Sequence, residues 1–212
     1  MRLDHVSFAA GPDGLAKTAE RIGGQLGAQF VDGGIHPRFG TKNMTLALAD
    51  NTYLEIVTVL DHPASDKAPF GQAVRERSAL GGGWLGWVVA CRNIAEMEKR
   101  LGREAVDGNR KRPDGVELKW KQIGVNGLRS DPQLPFFIQW ESAHELRPGA
   151  DGNPGLRLCG LEIAGDPTRV SEWLGKPVAD ALEDVTVEWV APNGTPGILA
   201  AHFETPNGRI RI

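Results

Sequence analysis

The sequence predicts an α+β protein of repeated βαβββ modules, whose strands form a curved, mostly antiparallel sheet with the helices outside. Three observations carry this. A short apolar motif recurs as "LDHV" at Leu3 to Val6, "LGWV" at Leu85 to Val88 and, more faintly, "LCGL" at Leu158 to Leu161. Each copy opens a strand and is followed by a helix signal with its own start and stop. Extended segments then complete each unit at a near-constant interval: 50 residues from His5 to Glu55, 52 from Trp87 to Gln139 and 51 from Gly160 to Arg211. These intervals assign a pair of modules to residues 1–142, about 1–66 and 82–142. A third, βαβββ-like module at 156–212 packs on the pair or extends it.

In the first module Asp13 is placed to cap a helix whose Leu15, Ala19, Ile22 and Leu26 share one face, with Gly27 as its stop. The strands "NMTLALAD" and "TYLEIVTV" follow, separated by a turn at Asp50-Asn51. "GGGW" at Gly81 to Trp84 lacks the helix and lysine of a phosphate loop and reads as a flexible hinge between modules. In the second module Asn93 caps and Glu96 sits three residues on, with Ile94, Met97 and Leu101 apolar and Gly102 as the stop. The basic run Arg110 to Arg112 precedes the turn signal Pro113-Asp114-Gly115 and reads as a solvated hairpin tip, before the strands "VELKWKQIGV" and "FFIQW". In the third, Asp166-Pro167 starts a helix bearing Val170, Trp173 and Leu174 and closed by Gly175 and Pro177. "VTVEWVAP", "GILAAHFE" and, after Asn207-Gly208, "RIRI" complete it.

With 212 residues, 41% hydrophobic and 24% charged, the chain can bury a sizeable core. A net charge of -3 gives no electrostatic reason to expect nucleic acid or an anionic membrane. No apolar stretch is long enough for a signal peptide or a membrane span. Cys91 and Cys159 have no metal-ligand spacing and read as small hydrophobes in a reduced, cytoplasmic protein.

Side-chain alternation puts Leu3, His5 and Ser7 on one face of the first strand, and Tyr53, Glu55 and Val57 on the face of the last strand turned away from the helix. His5 and Glu55 are therefore expected to line a concave face, with Trp87 and Gln139 in the matching places of the second module. Two readings of the pair stand open. It is either a buried imidazole satisfied by its carboxylate or the polar end of a functional pocket, since a carboxylate among apolar residues needs a partner in either case. Thr41 and Asn43 serve either local turn hydrogen bonding or as a polar hook for substrate. His36 falls in a glycine-rich loop just upstream of the cup strands, and His144 follows "FFIQW", so both are candidates for the same mouth. His62 lies in a surface connection and His202 in the third module. Trp87 offers a packing residue or a flat wall for an apolar ligand.

The paired modules, together with "GGIHPRFGTKN" at Gly33 to Asn43 and the following "YLEI", resemble the glyoxalase-like proteins of the vicinal oxygen chelate superfamily over roughly Met1 to Ser142. The resemblance implies half-barrel sheets enclosing a cup, with metal ligands on the first and last strands of each module. Carried over, it makes His5 and Glu55 metal ligands and catalytic residues. Trp87 and Gln139 fall at the other two positions, where an indole has no lone pair to give and an amide is weaker than a carboxylate. One divalent metal ion is thus implied with an incomplete ligand set, and no metal at all is the alternative. The function implied is a metal-dependent lyase or isomerase on a small carbonyl or enolisable substrate. The alternative is a metal-free protein that binds or sequesters a small molecule, and a scaffold with a vestigial pocket is a third class. His36, Thr41, Asn43, Trp87 and Gln139 are the expected substrate contacts. A homodimer is implied, or a monomer if the third module replaces a partner.

Overall fold

Eight strands arise from the two halves of residues 1–142, in a computed structural model that describes residues 1–182, 184–191 and 193–212. They are β1 (Arg2–Ala9), β2 (Val31–His36), β3 (Thr41–Ala47) and β4 (Tyr53–Val59), then β5 (Gly83–Ala90), β6 (Val106–Lys111), β7 (Glu117–Ile123) and β8 (Phe136–Trp140). Their order is β1-β4-β3-β2-β6-β7-β8-β5, and β5 returns to β1, so the curved sheet closes into a barrel instead of remaining two open halves. Only β1 with β4 and β5 with β8 run parallel. Each of these pairs joins the first and last strand of one module.

Helices α1 (Leu15–Leu26) and α4 (Ile94–Leu101) cover the outside. Asn93 caps α4 by accepting from the Ala95 amide at 3.2 Å, and Gly27 and Gly102 end their helices in the left-handed conformation. Asp13 does not cap α1. Gly14 takes that position at φ 91°, and the Asp13 carboxylate accepts instead from the Thr18 hydroxyl at 3.4 Å.

Between β4 and β5 lie α2 (Pro63–Lys67), where the first module was expected to end, and α3 (Pro69–Ala79), outside both expected modules. Pro69 presets the first turn of α3, and Phe70, Ala73 and Val74 recur at helical spacing on its buried side. They pack with Val57, Leu85, Val88, Leu128 and Phe136 and fill one end of the barrel. The expected hinge is a tight turn. Gly81, Gly82 and Gly83 take φ of 100°, 83° and 122°, and a Cβ on Gly82 would meet the Ala9 carbonyl oxygen at 2.7 Å. A short helix, α5 (Gly127–Ser130), precedes β8.

The remaining chain forms β9 (Arg157–Ala164), α6 (Pro167–Leu174), α7 (Val178–Ala181), β10 (Thr186–Val190), β11 (Gly197–Thr205) and β12 (Gly208–Arg211). Asp166 caps α6 through the Thr168 amide at 2.8 Å. Elements recur in the order of the earlier modules, but the pairing is different. The sheet runs β10-β9-β11-β12, so β9 lies parallel to the strand that follows its helix, and β12 pairs with β11. Gly160 and Arg211 are therefore not counterparts of His5 and Glu55. Leu158, Leu161, Ile163 and Phe203 share one apolar cluster with Leu3, Val6, Trp87 and Val89, so this sheet packs against the outside of the barrel. The Trp173 and Trp84 indoles join the two parts by donating to the carbonyls of Pro135 at 2.7 Å and Ile212 at 3.1 Å. Among the described residues no helix is long and apolar enough to cross a membrane.

Barrel closure depends on one narrow joint. β2 meets β6 through the pair Ile35 and Lys111, and Gly34 beside it has φ 106°, where a Cβ would overlap the Lys111 carbonyl oxygen. Gly34→Ala is expected to destabilise the fold by about 2 kcal/mol or more, combining left-handed strain with the clash. Gly24→Ala, on an exposed turn of α1 with open space around it, is expected to change stability by about 1 kcal/mol at most and upward. Urea unfolding of both variants checks the contrast.

Candidate functional site

A β-bulge builds the polar end of the cup. Leu3 pairs with Val89 and His5 with Val88, which leaves Asp4 as the extra residue of β1. Neighbouring side chains that strict alternation would separate can then meet. His5 Nδ1 lies 2.9 Å from Asp4 Oδ2, while Asp4 Oδ1 accepts from the Trp140 indole at 3.1 Å and from Arg2 at 3.0 Å. Tyr53 stacks on the other side of the imidazole with ring centres 4.3 Å apart. The ring of His5 is thereby fixed, with Nε2 directed towards Glu55 Oε2 at 4.0 Å.

Glu55 is buried at the centre of this arrangement. Ser7 donates to its Oε2 at 2.6 Å and Asn43 Nδ2 to its Oε1 at 2.7 Å. His36 Nε2 stands 3.9 Å from Oε1, and its Nδ1 is 3.0 Å from Thr41 Oγ1. Burial works against the charge on Glu55, but the neighbouring imidazoles and the Ser7 and Asn43 hydrogen bonds outweigh it and hold the carboxyl below the usual range. Burial also dominates at His36 and lowers its pKa to about 4, with Glu55 pulling the other way and Arg110 and His5 adding to the lowering. His36 is therefore neutral at pH 7, and the Ser7 and Asn43 hydrogen bonds hold Glu55 whatever the state of that ring. Burial, then Asp4 and Glu55, push the Tyr53 phenol well above its ordinary value.

A narrow cup opens above this end. Its apolar wall consists of Phe39, Phe70, Trp120, Phe136, Ile138 and Trp140, and Gln122 and Arg110 add polar groups. All of its lining residues come from the barrel and α3 side of the chain, none from the second sheet.

His5, His36, Thr41, Asn43 and Glu55 are thus brought together, and Trp87 and Gln139 are not. The pairing around β1 and β5 has a local twofold symmetry in which His5, Val6 and Ser7 correspond to Gly86, Trp87 and Val88, each 81 positions on. β4 and β8 obey the same rule, because Glu55 pairs beside Ser7 as Phe136 does beside Val88. Trp87 is therefore the counterpart of Val6. It faces outward, fully buried, and its indole donates to the Gln133 carbonyl at 2.9 Å. Gln139 also points out of the cup, where its Oε1 accepts from the Ile94 amide at 2.7 Å at the start of α4. A one-residue slip moves a strand's side chains to the opposite face, and matching "LDHV" to "LGWV" introduced that slip.

Other residues also differ from expectation. His36 ends strand β2 and does not lie in a loop. His144 is exposed, 2.9 Å from Asn51 Oδ1; His62 caps α2 through the Ala64 amide; and His202 contacts Glu162 at 2.7 Å on the second sheet. Arg110 is buried and lines the cup, so the solvated tip begins only at Arg112, which pairs with Asp114 at 2.7 Å. Gly108 and Arg110 are buried while Asp107 and Lys111 are exposed, an alternation that marks "VDGNRK" as a strand with Arg110 inside.

The donor set does not fit a metal ion held between the two modules. The counterparts of His5 and Glu55 are Gly86 and Phe136, neither of which has a ligating side chain. The space beside Gly86 is filled by Leu128, whose Cδ2 would lie 2.5 Å from an added Cβ. His36 supplies a third donor from the first module, but the two imidazoles face opposite oxygens of Glu55, each already accepting a hydrogen bond. Among the described residues no group of three or more His, Cys, Asp or Glu side chains is placed to hold a metal.

The sequence profile of the family described as "Glyoxalase-like domain" matches residues 3–178. No curated protein matches the chain in sequence. Among solved structures, a hypothetical protein from Staphylococcus aureus is similar over 100% of this chain and 85% of its own, with 16% identity and a TM-score of 0.60. Methylmalonyl-CoA epimerase from Mycobacterium tuberculosis aligns over 67% of this chain and 88% of its own, at 17% identity and a TM-score of 0.43. The Streptomyces coelicolor epimerase in complex with 2-nitronate-propionyl-CoA aligns over 68% and 98%, at 14% and 0.46. Likeness at these identities concerns the fold.

Proposed function

The chain belongs to the glyoxalase-like domain family, and from that premise we propose that it is a small-molecule enzyme whose cup transfers a proton on an enolisable carbonyl compound without a metal ion. The observation that supports this most is the convergence of His5 and His36 on the ionised, buried Glu55 at the polar end of an aromatic cup. The distances of 4.0 and 3.9 Å exceed a hydrogen bond, so neither imidazole is tied to the carboxylate.

In the reading proposed, Glu55 takes a proton from the carbon next to the carbonyl, and the electron pair of that C–H bond moves to the carbonyl oxygen. Return of the proton to another face or atom gives the isomer. His5, held through Nδ1 by Asp4, is the second group able to pass the proton. Because Glu55 is held below the ordinary range it is a weak base at rest, so the step depends on stabilising the enolate oxygen within the cup.

Hydrogen–deuterium exchange at the α-carbon of a panel of small ketones and keto acids, followed by NMR, tests this. Wild-type protein is expected to accelerate exchange for at least one of them, and Glu55→Gln to lower that rate by a factor on the order of 100 while the fold stands. Exchange is expected to survive a chelator, and elemental analysis of protein purified without nickel to show less than stoichiometric metal. Stoichiometric metal lost on His5→Ala, together with chelator-sensitive exchange, would overturn the metal-free assignment. Tight binding without exchange would favour sequestration, a reading the fully hydrogen-bonded state of Glu55 also suits.

A further inference from the structure

We propose that Arg110 is the receptor for a carboxylate on the ligand, so that the cup takes a small aromatic or alicyclic organic acid. This rests on the small-molecule reading above and names its substrate class. Arg110 is only 4% exposed and lines the cup, yet among the described residues it makes no ion pair and no hydrogen bond. Its Nε is wholly shielded and unpartnered. The nearby carboxylates are engaged elsewhere: Glu55 by Ser7 and Asn43, and Asp32 by the Gly34 amide at 2.9 Å. A buried, always-charged group with no partner is an incomplete site.

The missing partner has a definable shape. A guanidinium is a planar fork of donors that matches a planar carboxylate through two parallel hydrogen bonds. Around it Phe39, Phe70, Trp120, Phe136 and Trp140 form apolar surface suited to a flat ring. Gly33 lets Asn43 and Arg110 pack against its backbone, where an added Cβ would lie 3.1 Å from Nη1 and overlap Asn43 Oδ1. Asn43 Oδ1 is itself buried without a partner. Arg110 on the cup wall is thus short of an acceptor, and Asn43 Oδ1, which does not itself line the cup, of a donor.

Calorimetric titration with benzoate, benzamide, phenyl phosphate and phenylpyruvate tests the assignment. Wild-type protein is expected to bind benzoate and phenylpyruvate at least tenfold more tightly than benzamide, and phenyl phosphate less tightly than benzoate. Arg110→Met is expected to erase the preference for acid while binding benzamide within twofold of wild type, which also shows that the cup is intact. Arg110→Lys keeps the charge but loses the fork, and benzoate affinity is expected to fall at least threefold. Equal affinity of wild type for benzoate and benzamide, or an acid preference that survives Arg110→Met, overturns the proposal and leaves the proton-transfer reading standing. A preference for phenyl phosphate overturns the carboxylate in favour of a phosphate. If Arg110→Met does not fold, unchanged benzoate binding in Arg110→Lys overturns it. Failure of every aromatic probe to bind wild type overturns the cup reading and this one with it.

Discussion

Unfolding free energy is expected to fall by about 3 kcal/mol between pH 7 and pH 4, from His36 alone. The side chain is buried with its pKa lowered from 6.5 to about 4, so in that window the unfolded chain binds a proton that the folded chain does not. Stability from His36 is complete above the unfolded value and lost as pH falls towards 4. Glu55 acts in the same direction but lower. Its folded pKa is depressed, so its contribution holds above about 4.5 and is lost only as pH falls through the folded value. Urea unfolding at half-unit intervals of pH should show the loss begin near 6.5, before carboxylates titrate. His36→Gln should flatten the upper part of the curve and leave the lower part. An unchanged slope in His36→Gln would mean that the imidazole does not remain neutral inside the barrel.

How much of this was legible in the sequence depends on whether local pattern or distant pairing decided the position. Alternation in "LDHV" and "TYLEI" is local, and it placed His5 and Glu55 on inward faces. Helix stops at Gly27, Gly102 and Gly175 were legible for the same reason, because a left-handed residue at a helix end is a local backbone requirement. Bulges at Asp4 in β1 and Leu85 in β5 are set by how two strands meet, and neither shows in the strand that carries it. The motif alignment passed over them and was out by one residue, which was enough to offer Trp87 and Gln139 in place of Gly86 and Phe136. The last module illustrates a different limit. Its elements occur in the anticipated order, but the partner of β9 is chosen by packing against the barrel, and the order of elements does not specify it. Arg110 was hidden by its company, since two basic neighbours, Lys111 exposed and Arg112 half-buried, made the run look like a solvated tip.

Arg110→Met is expected to stabilise the unliganded protein by about 1 to 3 kcal/mol, the opposite of the usual result for a buried substitution. In the unfolded chain the guanidinium is hydrated. In the folded chain it gives up that hydration, and no ion pair or hydrogen bond among the described residues compensates. Burial lowers its pKa, with Tyr53 and Glu55 acting against this from a distance, which is the signature of a charge kept in place at a cost. Methionine retains the apolar stem and suits the surrounding rings without carrying the charge. For a chain of this length the gain corresponds to roughly 2 to 4 °C in melting temperature per kcal/mol. Loss of stability instead would mean that the guanidinium is satisfied in the empty cup, by water or by Asn43 Oδ1. Benzoate separates the two accounts. A ligand that binds only the folded state raises stability by an amount that grows with its concentration over Kd, so the wild-type melting temperature should climb at lower benzoate concentration and by more than that of Arg110→Met, which binds benzoate more weakly. The two curves are then expected to cross, with wild type the less stable protein without ligand and the more stable one at saturation. A crossing of this kind is what a residue retained for binding at the expense of stability should produce.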